Sequence, residues 1–321
     1  MAQQVHAAFI SPAGAAAHNS IHASLSSGFA HYDGPEYDAD TLLPALLGSG
    51  NPATLAEAAA IILAGKDYIN GHFALADVTV GDHIYAHKVP DAAHTITAVM
   101  APWAPIEAAL SEAARLLVND ATAKYEAHRL NTGGVWHAAV DTVNNVGTPN
   151  SFSALEWTDL KGVERTNLLK ALWNDHVVLT SGGVHWGPDT GNQISAVNAT
   201  YDAVDGADWI KWLALLTELR TKFIAHPPTA SHALVDNTNI VSAPLPSVPA
   251  GTFDLVNDEL TQWNLHVPST TYHPMADAGS QTSITSVATL ADMLAAAQQI
   301  YAKALSHVTA APLSRPVRIV V

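Results

Sequence analysis

The chain repeats one short pattern, H-x-x-x-D-x-x-[N/H]. It occurs as His87-Asp91-His94, His137-Asp141-Asn144, His185-Asp189-Asn192 and His232-Asp236-Asn239. A reduced copy, His273-Asp277, holds Ser280 in the last place. The copies begin at residues 87, 137, 185, 232 and 273, hence 41 to 50 residues apart. That is the size of one supersecondary unit. A unit so small cannot bury its own apolar face, so units must pack on one another and the product is a scaffold.

A second register precedes the first. Asn119, Asn167, Thr217 and Asn257 each stand nine residues before a histidine: His128, His176, His226 and His266. Three residues before those histidines stand Tyr125, Trp173, Phe223 and Trp263. Apolar periodicity, caps and prolines predict helices over about 53–70, 105–128, 153–176, 206–225, 252–265 and 285–307. Ser153 and Glu156 read as a capping box for the third. Pro227-Pro228 and Pro268 stop the fourth and fifth. Each H-x-x-x-D segment reads as a short turn that gathers His, Asp and Asn on one side.

The expected fold is therefore mainly α. It consists of repeated helix–loop–short-turn units, as a bundle or a solenoid, over residues 51–310. Residues 1–50 lack periodicity and read as an extended arm. Residues 311–321 read as a β-prone tail, with Val317, Ile319, Val320 and Val321 as its assembly contacts.

Composition narrows the function. Charged residues are 13% of the chain, against about 25% in ordinary globular proteins. Either the surface is neutral or much of it is covered by neighbours in an assembly. The net charge of −15 and the absence of Lys/Arg clusters exclude a nucleic-acid face. With no cysteine, disulfides, thiolate metal sites and thiol nucleophiles are excluded. No segment reads as a signal peptide or membrane span, which predicts synthesis in a cytoplasm and no membrane partner.

The histidines admit two readings. In the first they form a hydrogen-bonded clasp, with the helix-end imidazole protonated by the helix dipole and the Asp of the same block accepting from either ring. In the second, each block holds a divalent ion. The candidate sets are His128/His137/Asp141, His176/His185/Asp189, His226/His232/Asp236 and His266/His273/Asp277. The unequal gaps between paired histidines suit a clasp better than fixed metal geometry. His87, Asp91 and His94 complete the candidates, with Asn144, Asn192 and Asn239 tying the loops. A catalytic site is normally single, so a pairing repeated this often predicts a non-enzyme. Trp173, Trp209, Trp212 and Trp263 read as core, and Trp136 and Trp186 as covers over the motif histidines.

The segments Ala123–His128 and Leu219–His226, each followed by H-x-x-x-D-x-x-N, resemble a repeat of tailed-bacteriophage virion proteins, roughly L-N-x-L-K-x-x-[FY]-N-x-H and then V-H-x-x-x-D-x-x-N. The likeness spans about 60–307 and weakens at His94, which replaces Asn, and at His273, where Asn is lost. It implies a structural component of a virion, in the head decoration, neck or tail. Such a component assembles with itself and with other virion proteins and has no cofactor. The alternative is a divalent-metal-binding module or a metal-dependent hydrolase.

Overall fold

The computed structural model describes residues 51–74, 78–80, 83–85, 91–130, 137, 139–181, 184–226, 238–271 and 276–309. The expected N-terminal arm, His87, Trp136, His232, Asp236, His273 and the tail with Val317, Ile319, Val320 and Val321 lie outside them. Six helices dominate: α1 (Leu55–Phe73), α2 (Trp103–Arg129), α3 (Asp159–Val177), α4 (Trp209–Ala225), α5 (Asp254–His266) and α6 (Leu290–Thr309). Two small antiparallel ribbons pair β1 (Val78–Val80) with β2 (His83–Tyr85), and β3 (Tyr201–Asp202) with β4 (Gly206–Ala207). No helix among the described residues is long and apolar enough to cross a membrane.

The chain divides into two compact units, one within Met1–Trp103 and Ala250–Val321, the other within Ala104–Pro249. The first unit holds α1, α5 and α6. The second holds α2, α3 and α4 and is inserted between α1 and α5. Among the described residues each is a closed three-helix bundle, not a solenoid.

Helix starts follow local chemistry. Thr54 and Glu57 form a capping box at α1. Thr289 and Asp292 exchange the same pair of bonds at α6. The side chains of Thr158 and Asp208 cap α3 and α4. Three starts fall clearly later than the periodicity predicts; α6, expected from about 285, opens at Leu290 behind its Thr289/Asp292 cap. Ser153 and Glu156 do bond each other, but they close a turn ahead of Thr158 and do not open α3. Residues 206–207 are held in the β3–β4 ribbon, where Gly206 takes φ +80°, so α4 waits until Trp209.

Each helix buries one stripe at helical spacing, and the stripe ends in a histidine. On α4 it runs Trp209, Trp212, Leu215, Leu216, Leu219, Phe223, His226; on α5 it runs Leu255, Val256, Glu259, Leu260, Trp263, His266. Trp173, Trp209, Trp212 and Trp263 are core, as expected. Their indole N–H groups find acceptors: Trp212 on Thr166 Oγ1 at 3.0 Å and Trp209 on Glu107 at 3.1 Å. Gly162 lets α3 approach closely, since a Cβ there would lie 2.5 Å from the Trp157 ring and 2.7 Å from Trp212.

One core position breaks the pattern. Seven residues before the terminal histidine, the helices carry Ala121, Leu169, Leu219, Ile300, Gly65 and Glu259. Glu259 is fully buried, neither carboxyl oxygen has a hydrogen-bond partner among the described residues, and Gly65 leaves it room. Burial, reinforced by Asp258, pushes its pKa well above the ordinary carboxyl range. The folded state thus binds a proton that the unfolded state releases above about pH 4.5, and stability falls as pH rises from there towards the folded value. Glu259→Met replaces the acid with an apolar side chain of similar length. It is expected to raise stability at pH 7 by about 1–3 kcal/mol, with the gain shrinking towards pH 4. Urea denaturation at several pH values checks this; a loss of stability at pH 7 would contradict it.

Candidate functional site

Because every inward stripe ends in a histidine, folding gathers imidazoles at one end of each bundle. In the second unit, the rings of His128, His176 and His226 stand 5.2, 5.4 and 5.8 Å apart at interplanar angles of 79–82°. In the first unit, His72, His266 and His307 stand 5.3, 5.6 and 6.0 Å apart at 79–82°. Two different sequences build the same triangle, so each bundle has an approximate threefold arrangement about its histidines. His137 and His185 add a second layer in the second unit, 4.8 Å from each other. Each lies 4.7 Å from its own block's helix histidine. Each also lies 5.3 or 5.1 Å from the helix histidine of the next block.

The pairing with aspartate departs from the expected clasp. Asp141 accepts from Nδ1 of His176 at 2.8 Å, Asp189 from His226 at 2.7 Å, Asp91 from His266 at 2.8 Å and Asp277 from His307 at 2.6 Å. Each aspartate therefore serves the following helix of its unit, not the helix of its own block. The reason lies in the backbone. The aspartate N–H is tied to the carbonyl just after its own block's histidine, that of Phe73, Arg129, Val177 or Val267. The side chain then projects away from that helix towards the neighbour.

The last motif place is a donor position. Asn144 and Asn192 give Nδ2–H to Asp141 and Asp189 at 2.9 and 2.7 Å. His94 gives Nδ1–H to Asp91 at 2.7 Å, and the hydroxyl of Ser280 serves Asp277. Asn, His and Ser are interchangeable here because each presents one N–H or O–H to the same carboxylate. Asn239 is described and buried, but its motif partners His232 and Asp236 are not.

Burial raises the Asp141 carboxyl, yet the donors His176 and Asn144 outweigh it and hold the group below its usual range. Asp277 follows the same balance with His307 and Ser280. The imidazoles shift downward. Burial takes His226 to about 4 and His176 well below 6.5, against the upward pull of Asp189 and Asp141. Burial lowers His137, His185 and His307 as well. At His176, His226 and His307 the protonation expected at a helix end is thus disfavoured. A helix dipole contributes about 0.3–1 kcal/mol, while burying a charge can cost several pKa units at about 1.4 kcal/mol each. An ionised aspartate can only accept, so Nδ1 of each paired ring carries the proton and Nε2 keeps its lone pair. Nε2 of His176 is buried with no hydrogen-bond partner among the described residues.

A set of pins missed by the sequence reading fixes the loops. Asn70, Asn174 and Asn264, each two before a helix histidine, give Nδ2–H to Ile96, Ile194 and Thr282 and accept their backbone N–H. Asn119, Asn167 and Asn257 do the same for Phe152, Ala199 and Val287. Acceptors eight before the histidine take two backbone N–H groups from a loop of the same unit: Asp120 from Ser242 and Ala243, Glu218 from Ser195 and Ala196, Asp258 from Thr97 and Ala98, Gln299 from Ser283 and Ile284. Asp120 lies on α2, so the segment after α4 returns to α2 and closes the second unit. Gln298 on α6 donates to the Pro52 carbonyl before α1 and closes the first. The signal for these pins was available as the Asn-x-His triplet and the Asn nine before the histidine, but the register alone carried no partner.

His128, His137, His176 and His185 each offer a ligand nitrogen, all within 4.8 Å of one another, and so do His72, His266 and His307. All of these rings are 0–3% exposed. Trp186 does not cover its motif histidine; it is 75% exposed because the loop turns it outward. No protein-family model matches the chain, and neither curated proteins nor solved structures give a match.

The pins carry a stability prediction. Asn167→Ala removes both bonds to Ala199 and strands its N–H and C=O, for an expected loss of about 1–3 kcal/mol. Asn145→Ala, at an exposed site with one long 3.5 Å contact, should stay within about 0.5 kcal/mol of the parent. Chemical denaturation of the two variants side by side is the check, and equal losses would refute the pin.

Proposed function

We propose that the chain is a non-catalytic structural component of a tailed-phage virion, assembling with copies of itself and with other virion proteins. The observation that carries this reading is multiplicity. An acid–imidazole pair that a catalyst would use once is built four times on the same atoms, each time as a tie between successive helices. The low charge content supports an assembly role. So do Val143, Leu155, Trp186 and Val204, large apolar side chains held out in solvent. The net charge of −15 supports contacts with protein rather than with packaged nucleic acid.

The alternative is a metal-dependent hydrolase, favoured only by the convergent imidazoles. Hydrolysis at a metal needs an open coordination position that substrate can reach. Both clusters lie inside their bundles.

Sedimentation velocity and negative-stain microscopy of the purified full chain separate the readings. Discrete closed multimers over a concentration series are the expected result. A chain that stays monomeric to its solubility limit, or that hydrolyses a generic phosphoester once loaded with metal, argues for the alternative.

A further inference from the structure

We propose that each unit binds one divalent first-row transition ion through its buried imidazoles. The ligands are His128, His137, His176 and His185 in the second unit, and His72, His266 and His307 in the first. This goes beyond the structural role above and stands or falls separately from it.

Three observations converge. The first is distance. Nitrogens about 2.1 Å from one ion stand roughly 3–4 Å apart, whether the ion is tetrahedral or octahedral. The candidate ligand atoms of each cluster already lie within 4.8 Å of one another, so small ring rotations close the shell. His226 flanks the second-unit set, its ring 5.1 Å from His185 and 5.4 Å from His128.

The second is the outer shell. Ligating histidines usually donate their other ring N–H to a carboxylate or a backbone carbonyl, which fixes the tautomer and aims the lone pair. Here Asp141 takes Nδ1–H of His176, Asp91 that of His266 and Asp277 that of His307, while the Leu179 carbonyl takes that of His185 at 3.0 Å. The aspartates stand behind the rings as orienting groups. This replaces the mixed His/His/Asp ligand sets expected for single blocks.

The third is an atom without other use. His176 is fully buried and its Nδ1 is engaged by Asp141. Its Nε2 has no hydrogen-bond partner, and its ring faces those of His128, His137 and His185 at 5.2, 5.3 and 4.7 Å. A buried nitrogen lone pair of this kind is costly unless something shares it.

An all-imidazole shell selects Fe²⁺, Co²⁺, Ni²⁺ or Zn²⁺ over Mg²⁺ and Ca²⁺, which require oxygen. In the first unit the donors come from all three helices, and in the second from α2, α3 and the loops that follow them, so the ion would join separate elements and contribute directly to folding.

The test uses the full chain, incubated with Zn²⁺, Co²⁺, Ni²⁺ or Fe²⁺ in turn and dialysed. Elemental analysis should give two ions per chain, X-ray absorption a nitrogen shell, and thermal unfolding a higher midpoint. His176→Ala should lose one ion and keep helical content by circular dichroism. Asp141→Asn preserves shape, so it gives the reading even if His176→Ala does not fold; it should weaken binding at one site about 10- to 100-fold. Metal at background level with no shift in the midpoint would overturn the proposal, as would an oxygen-dominated shell. A single ion abolished by His176→Ala retains the site in the second unit and overturns the one in the first. An Asp141→Asn affinity equal to the parent's overturns the second-unit assignment.

Discussion

One bond organises both bundles: Nδ1–H of a helix-terminal imidazole donated to Oδ2 of an aspartate from the loop of the preceding helix. The aspartate is immobilised before it receives that bond. At Asp141, the backbone N–H is held by the Arg129 carbonyl, Oδ1 accepts from the N–H groups of Val143 and Asn144, and Oδ2 accepts from the Asn144 side chain. The imidazole thus meets a carboxylate of fixed position and direction. Both partners are buried, so removing either would strand the other at a cost of about 3–5 kcal/mol. That asymmetry makes the bond a specifier of helix order as much as a source of stability.

The polar residues of this chain mostly serve its own backbone. Long loops without regular structure must satisfy their N–H and C=O groups somewhere. Here Asn70, Asn119, Asn167, Asn174, Asn257 and Asn264 act as two-point pins, and Asp120, Glu218 and Asp258 take pairs of N–H groups. Lys66, Lys124, Lys170, Lys222 and Lys303 give Nζ–H to loop carbonyls. Part of a charge content of only 13% is thereby engaged with the chain's own loops.

The helices and their buried faces were legible in the sequence because periodicity is local. Trp173, Trp212 and Trp263 lie in the core where their spacing put them. The grouping of the site was not legible. His137 and Asp141 share a block, but the carboxylate binds the histidine 35 residues on. No spacing rule distinguishes a tie within a block from a tie to the next one; that depends on which way the chain turns after Arg129. Asp91 and His266 are 175 residues apart, a partnership hidden by a whole inserted bundle. The protonation state was misjudged for a related reason. A helix-end position is visible in sequence, while the burial of five imidazoles together in one bundle and three in the other is visible only in three dimensions.

The insertion of one bundle inside another has a consequence for biosynthesis. All three helices of the inserted bundle leave the ribosome in succession, and its aspartate–imidazole ties span 35 and 37 residues. It can therefore complete its imidazole triangle while the rest of the chain is still being made. The outer bundle has no such freedom. Asp91 and the face of α1 emerge first and must remain unsatisfied until α5 delivers His266 and α6 delivers His307, so the outer core is the last to close and the longest exposed to wrong partners.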